Sequence, residues 1–286
     1  MIAFPNCKIN LGLNIIRKRS DGFHDLETIF YPLPFYDVLE IIHATNDKQQ
    51  LDDISFTTSG ITIEGNKGDN LCIKAYGLLK KDSPDLQPVQ IHLHKSIPSG
   101  AGLGGGSADG AFALKLLSDK FDLNLSTSQL INYALQLGSD CPFFIINKPC
   151  FATGKGEVLE PVDINLITYK FILITPGIHI QTAKAFSQIT PALPDKSIKE
   201  INQQTVASWK NNLKNDFEEI VFKQYPEIKN IKEELYNEGA IYASMSGSGS
   251  TVYGIFEKEK KVQLSFPRPT DSSGRASHYF VRELFS

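Results

Sequence analysis

Residues Pro98 to Asp109 read Pro-Ser-Gly-Ala-Gly-Leu-Gly-Gly-Gly-Ser-Ala-Asp, and five of these twelve are glycine. Upstream, Val89, Ile91 and Leu93 alternate with Gln90, His92 and His94, which predicts a strand. Downstream, a helical pattern runs from Ala108 to Phe121, with Phe112, Ala113, Leu116 and Leu117 on one face. A flexible linker does not sit flush between a strand and a helix. Glycines let the backbone take positive φ and let a ligand approach the N–H groups closely. A helix N-terminus adds unpaired donors and the positive end of the macrodipole. The stretch therefore reads as an anion site, most naturally for phosphates. It lacks the Gly-Lys-Ser/Thr ending of a P-loop, and no acidic residue follows a second strand as a dinucleotide site requires.

The rest of the chain bounds the options. Its 286 residues suit one large or two small domains, and 41% hydrophobic content is ample for a core. A net charge of −3 does not suggest a nucleic-acid surface. Cys7, Cys72, Cys141 and Cys150 have neither metal nor disulfide spacing and fit a reducing cytoplasm. No apolar run approaches membrane-span length. Ile9 to Ile16 is apolar, but Asn10, Gly12 and Asn14 interrupt it and Arg17-Lys18-Arg19 follow it, the wrong charge order for a signal peptide.

From residue 7 to 15, Cys7, Ile9, Leu11, Leu13 and Ile15 alternate with Lys8, Asn10, Gly12 and Asn14. One face is core; the other is either a solvated sheet face or a ligand face carrying a lysine and amides. Asp21-Gly22 predicts a tight turn that releases Phe23 and His24, either as packing residues or as recognition groups. Strands broken by Pro32 and Pro34 are expected over 25–42, a polar loop over 46–53, and a hairpin over 54–63 turning near Ser59-Gly60. A helix is expected from Leu71 to Lys81, N-capped by Asp69 or Asn70. Lys95 reads equally as an exposed strand-end lysine or as a residue reaching a nucleotide. Ser126-Thr127-Ser128-Gln129 is a capping box, and Gly138 ends the helix it starts. Pro142 is expected to hold Cys141 extended, so that Asp140 stands at an abrupt helix exit.

A hairpin with Gly154 and Gly156 at its tip is expected over 153–162, then a buried strand over 171–175. Thr182 is a candidate N-cap for a helix reaching Phe186, which reads equally as a core ring. A surface loop is expected over 190–203, and one helical stripe through Val206, Trp209, Leu213, Phe217, Ile220 and Val221. A further helix spans 226–237. Strands over 240–245 and 251–256 flank Ser246-Gly247-Ser248-Gly249-Ser250. Pro267, Pro269 and Ser272-Ser273-Gly274 disfavour a long helix near the end, and an edge strand is expected over 278–281.

Taken in order, these motifs resemble the GHMP kinases, the superfamily of galactose, homoserine, mevalonate and phosphomevalonate kinases. The Gly104-Gly105-Gly106-Ser107-Ala108-Asp109 ending most resembles the branch acting on a cytidine diphosphate-linked methylerythritol. The resemblance runs through to about Phe256 and implies an α/β chain of the α+β type. Residues 1–165 would form an ATP-binding N-terminal domain like the second domain of ribosomal protein S5. Residues 166–286 would form a ferredoxin-like C-terminal domain.

Carried over residue by residue, the resemblance implies that Lys8 and Asp140 are catalytic. It implies ATP binding by Asn70, Lys95, Pro98, Ser99, Gly100, Ala101, Gly102, Leu103, Gly104, Gly105, Gly106, Ser107 and Ala108, with Ser107 as a Mg²⁺ ligand. Asn10 would contact the acceptor. Phe23 and Phe186 would sandwich the cytosine ring while His24 and Thr182 bond its polar edge. Phe23 stands where tyrosine is commoner in the family, which keeps stacking and removes a hydroxyl. Asn215-Asp216-Phe217-Glu218 resembles a structural family element, and Ser246 to Ser250 resembles the third family motif.

The implied reaction is ATP-dependent phosphorylation of the acceptor's 2-hydroxyl, a step of non-mevalonate isoprenoid synthesis. Its partners would be small molecules only, without nucleic acid or membrane, in the cytoplasm; monomer and homodimer both fit. The same scaffold acting on a mevalonate derivative or homoserine is the nearest rival, but leaves the pyrimidine clamp unused. A nucleotide-binding sensor without transfer activity has no need of Lys8 and Asp140.

Overall fold

A computed structural model describes residues 1–44, 53–264 and 279–285. In chain order the strands are β1 (Ile2–Ala3), β2 (Asn6–Lys18), β3 (His24–Tyr36), β4 (Val38–His43), β5 (Ile54–Gly60), β6 (Val89–Lys95), β7 (Cys150–Thr153), β8 (Val158–Pro161), β9 (Tyr169–Thr175), β10 (Tyr242–Met245), β11 (Val252–Glu257) and β12 (Phe280–Phe285). The helices are α1 (Leu71–Asp82), α2 (Gly105–Lys120), α3 (Thr127–Leu137), α4 (Cys141–Ile146), α5 (Thr182–Gln188), α6 (Ile198–Asn202), α7 (Val206–Asn212), α8 (Phe217–Gln224) and α9 (Pro226–Asn237). The chain divides into two compact units, each assembled from non-consecutive segments. The first comprises Met1–Cys7, Phe35–Ser99 and Gly104–Lys148, and the second Lys8–Pro34, Gly100–Leu103 and Pro149–Ser286.

The first unit is built on the sheet β1-β4-β6-β5. Its alternation is as the sequence predicts: Val89, Ile91 and Leu93 are buried, as are Leu39 and Ile41 on antiparallel β4. Residues 54–63 do not form a hairpin. Thr57 pairs with His92 in a parallel ladder, and α1 is the crossover joining β5 to β6. Parallel neighbours need such a connection, whereas a two-residue turn serves only antiparallel ones. At Gly60 the chain leaves the sheet with φ +79, where a Cβ would lie 2.2 Å from the Lys95 carbonyl oxygen. Helix α2 starts inside the glycine run, three residues before the expected Ala108, because Gly104 adopts a left-handed conformation and turns the chain directly into it. The α3 capping box is formed at Ser126 and Gln129. Pro142 does not extend Cys141. It occupies the first turn of α4, where no N–H is required, so Cys141 is helical and Asp140 precedes the helix with φ −84.

The second unit carries two sheets, β2-β3-β7-β8 and β10-β11-β9-β12. Leu13, Ile15, Ile174, Phe217, Ile228, Ile231, Val252 and Phe256 share one core cluster. Trp209 meets Tyr242 edge-on at 5.8 Å. Strand β3 runs unbroken through Pro32 and Pro34. Both prolines lie past the Thr28–Phe30 stretch that pairs with β7, so neither removes a donor from that ladder. The expected loop over 190–203 contains α6, whose Ile198 and Ile201 are buried. Ser197 caps it, and Glu27 accepts from the Ile198 N–H at 2.9 Å. The single stripe over 206–221 is two helices. Between them the Lys214 carbonyl accepts from the Leu13 N–H and the Asp216 N–H donates to the Leu13 carbonyl, so these backbone groups are taken from a continuing helix. The hairpin over 153–162, the strands around 246–250 and the helix over 226–237 are all present. β12 lies at the sheet edge expected for it; His278, the polar loop over 46–52 and the Pro267–Gly274 stretch fall outside the described residues.

Candidate active site

Strand β2 carries the first functional row. Lys8, Asn10 and Asn14 alternate with core residues, yet all three are buried, so this face is not solvated. Lys8 Nζ donates to Asn10 Oδ1 at 2.7 Å and lies 4.8 Å from the centre of the Phe30 ring. Asn10 Nδ2 donates to Thr28 Oγ1 at 2.9 Å, and Tyr253 Oη donates to the Asn10 carbonyl at 2.7 Å. Each buried polar atom in this row has been given a defined partner, which fixes the Lys8 ammonium in place.

The glycine loop contributes residues to both units. In the second, Lys8 N–H donates to the Leu103 carbonyl at 2.9 Å, and Ser246 Oγ donates to the Gly102 carbonyl at 2.7 Å. Thr251 N–H donates to the Ala101 carbonyl at 3.1 Å. The two glycine loops therefore pack side by side here. Their spacing demands glycine: a Cβ on Gly102, at φ +81, would stand 2.0 Å from the Ser246 carbonyl oxygen. Ser246 Oγ also accepts from the Asn10 N–H at 3.3 Å.

In the first unit the loop residues lead into α2. No side chain caps this helix. Its first N–H groups are thus available to an anion. A Cβ on Gly106 would meet nothing within 4 Å, so the fold itself does not require glycine there. Ser107 sits beside Cys141 and hydrogen-bonds with its thiol, which burial pushes up to about 12. Asp140 is the residue immediately before α4, with Ser139 Oγ donating to it at 3.5 Å. Asn70 is the N-cap of α1, its Oδ1 accepting from the Cys72 N–H at 2.9 Å.

Lys95 is no exposed strand-end residue. Its side chain is 1% exposed, and its ammonium is gripped by Asp37 and by Asp109, the latter at 2.8 Å. Burial alone would lower the lysine, but the two carboxylates outweigh it and raise it. Burial pushes the Asp109 carboxyl up to about 7. Lys95 Nζ would lie 2.9 Å from a Cβ on Gly105, directly beneath the start of α2.

The clamp residues fall in the second unit. Phe23 leaves the Asp21-Gly22 turn 57% exposed, with Lys155 Nζ 4.7 Å from its ring centre. His24 stacks on Phe186 at 5.1 Å and 21°. Burial, then the Lys18 charge, pulls the His24 imidazole below its usual value, which favours the neutral ring that both donates and accepts. Phe186 also meets Phe217 edge-on at 4.9 Å. Thr182 is not an N-cap. Gln181 holds that position, and Thr182 Oγ1 instead shares a 2.9 Å hydrogen bond with Ser248 Oγ of the second glycine loop.

Several residues that organise the loops are not among the expected site residues. Asp37 accepts from the Ser96 and Ile97 N–H groups, and Asn215 Nδ2 donates to the Met245 and Gly247 carbonyls. Glu218 accepts from the Met245 N–H at 2.8 Å. An isolated acidic residue in a Tyr-Asp-Val context gives no signal of a partner about sixty positions away. The Asn-Asp-Phe-Glu run did give one, as a structural element. Among the described residues no group of three or more His, Cys, Asp or Glu side chains is placed to hold a metal ion. A cation held mainly through phosphate oxygens and water needs no such group. No helix among the described residues is long and apolar enough to cross a membrane.

Residues 70–148 match the GHMP kinases N terminal domain, and residues 189–266 match the GHMP kinases C terminal family. Over 262 residues the chain is 55% identical to the 4-diphosphocytidyl-2-C-methyl-D-erythritol kinase of Bacteroides fragilis, covering 92% of this chain and 94% of that protein. It is 51% identical over 263 residues to the enzyme of the same name from Cytophaga hutchinsonii, with coverages of 92% and 94%. A crystal structure of 4-(cytidine 5'-diphospho)-2C-methyl-D-erythritol kinase superposes with a TM-score of 0.77 at 29% identity, covering 90% of each chain.

Proposed function

The chain belongs to the GHMP kinases, and from that premise we infer that it transfers the γ-phosphoryl group of ATP to the 2-hydroxyl of 4-diphosphocytidyl-2-C-methyl-D-erythritol. The observation that carries the inference is the 55% identity spanning 92% of this chain. The product supplies the non-mevalonate route to isoprenoid precursors, and the setting we propose is the cytoplasm. We assign ATP binding to an N-terminal domain of residues 1–165 and the remainder of the two-domain fold to residues 166–286.

Each role follows from the chemistry of its residue. The backbone N–H groups of Gly100 to Ser107 and the start of α2 bind the ATP phosphates, and Asn70 contacts the nucleoside. Phe23 and Phe186 stack the cytosine, which requires His24 to leave its place on Phe186. His24 and Thr182 then bond the base edge, and Asn10 holds the acceptor. Asp140 orients the acceptor hydroxyl and takes its proton as the hydroxyl oxygen bonds to the γ-phosphorus. The bond from that phosphorus to the β–γ bridging oxygen breaks, and its electron pair leaves with ADP. Lys8 stabilises the negative charge on the transferring group. Ser107 would help the phosphates hold Mg²⁺, which would supply further charge neutralisation. Such a transition state is loose, so positioning and electrostatics carry most of the rate.

Asp140→Asn tests the assignment. Turnover is expected to fall by roughly 10²- to 10⁴-fold, with ATP affinity within a few-fold of wild type. Steady-state rates and calorimetric ATP titration decide it: equal losses in both contradict a proton-accepting role.

A further inference from the structure

We propose that Asp37 is a positioning residue for the nucleotide, holding together the chain that leads into the glycine loop and the helix that leaves it. The inference rests on the reading that this loop binds ATP phosphates. Asp37 follows β3 and is fully buried. Its Oδ1 accepts from the Ser96 N–H at 2.6 Å and the Ile97 N–H at 2.9 Å, the two residues before Pro98. Its Oδ2 accepts from Lys95 Nζ, which also donates to Asp109 Oδ2 at 2.8 Å, five residues into α2. One carboxylate thus fixes the backbone on the near side of the loop and, through one ammonium, the helix on the far side.

The arrangement goes beyond what a buried ion pair needs. A simple pair would satisfy Lys95 with one carboxylate and leave the Ser96 and Ile97 amides to a strand or to water. Here the second oxygen of Asp37 is spent on the loop backbone. A carboxylate accepting two backbone N–H bonds fixes them more firmly than a neutral acceptor does. The amides that meet phosphate belong to a short, glycine-rich stretch with little stiffness of its own. Bonds to the Ala101, Gly102 and Leu103 carbonyls hold its middle, and the aim of the amides then depends on how its two ends are held. Asp109 lends the far anchor but not the near one: its other oxygen has no hydrogen-bond partner.

Asp37→Asn keeps the shape and breaks the device. An amide oxygen turned to Ser96 and Ile97 points its NH₂ group at the Lys95 ammonium, and the opposite rotamer abandons the two amides. The expected result is a rise in ATP Kd and ATP KM of roughly ten- to a hundredfold, with kcat and the acceptor KM within about twofold. Val89→Ala is the control: it truncates a buried residue of β6, the strand leading to the loop, and is expected to lower Tm without moving ATP affinity. If Asp37→Asn binds ATP as wild type does, or if Val89→Ala weakens ATP equally, Asp37 is only a stability residue and the proposal is wrong. If the wild-type protein itself binds no ATP, the reading of the loop fails first, and this inference with it.

Amide hydrogen exchange on wild-type protein keeps the test open should Asp37→Asn not fold. Ser96 and Ile97 are expected to be protected before ATP is added. Protection that appears only on adding ATP would overturn the proposal.

Discussion

The glycine loop at 98–107 is anchored by an unbalanced charge cluster, whereas the loop at 246–250 is anchored by an amide and a balanced ion pair. Behind the first, one lysine faces two carboxylates, Asp37 and Asp109, all buried. Behind the second, Asn215 donates to the Met245 and Gly247 carbonyls, while Glu218 accepts from the Met245 N–H and pairs with Lys232 at 2.6 Å. A balanced anchor carries no excess buried charge. An unbalanced one must either hold a buried excess charge or take up a proton. The two loops look alike as sequence, but only the first has such an excess carboxylate behind it.

The largest expected effect is at the point where the loops touch. Gly102→Ala would place a methyl 2.0 Å from the Ser246 carbonyl oxygen at φ +81. Destabilisation of roughly 3 kcal/mol or more is expected in urea melts. A near-neutral Gly102→Ala would mean that the loops are not locked to one another. Next, Asn215→Ala removes two donated bonds and the acceptor for the Phe217 N–H. A loss of about 2–3 kcal/mol follows, with ATP affinity unchanged, because this anchor serves the second loop. A drop in ATP affinity as large as that from Asp37→Asn would erase the distinction between the anchors.

Asp109→Asn sharpens the electrostatic contrast. The Asp109 carboxyl rises on folding from its ordinary value of 3.8 to about 7, chiefly through burial. Folding therefore takes up a proton in that window, and the associated stability is full below about 4 and lost as pH rises through about 7. The asparagine variant lacks this loss. Its stability relative to wild type is expected to climb by about 1 kcal/mol or more between pH 4 and pH 7, then level off; a flat difference across that range refutes the uneven charge. The smallest stability effect belongs to Gly106→Ala, whose added methyl meets no atom within 4 Å. It should leave Tm unchanged or gain about 0.5–1 kcal/mol as a helix residue, while ATP binds more weakly. Unaltered ATP affinity would show that this glycine is not kept for the nucleotide.

Local patterns were legible where their causes are local. The β6 alternation, the capping box at Ser126 and the chain reversals at Gly22 and Gly154 each follow from a few adjacent residues, and the structure has them. So does the row Lys8, Asn10, Asn14 along β2, although its burial was not legible, because the groups that cover it come from distant segments. Helix α6 was missed because five residues with two apolar positions give too short a stripe, and its anchor, Glu27, lies 171 residues from Ile198. The α7–α8 break was missed for a similar reason: Val206 to Val221 keeps helical periodicity, and the backbone bonds of Lys214 and Asp216 to Leu13 interrupt it. Residues 54–63 read as a hairpin because a strand followed by Ser-Gly looks the same whether its partner is antiparallel and adjacent or parallel and one helix later. Asp37 had no signal at all, since its partners are separated from it by up to 60 positions.

The most direct test of the account is a rate of phosphoryl transfer with two acceptors in parallel. ADP formation is measured with Mg²⁺, ATP and either 4-diphosphocytidyl-2-C-methyl-D-erythritol or mevalonate, and the phosphorylated position is read by phosphorus NMR. Turnover is expected with the cytidylyl compound alone, with phosphate on its 2-hydroxyl. Turnover with mevalonate alone, or with neither while ATP still binds, would contradict it.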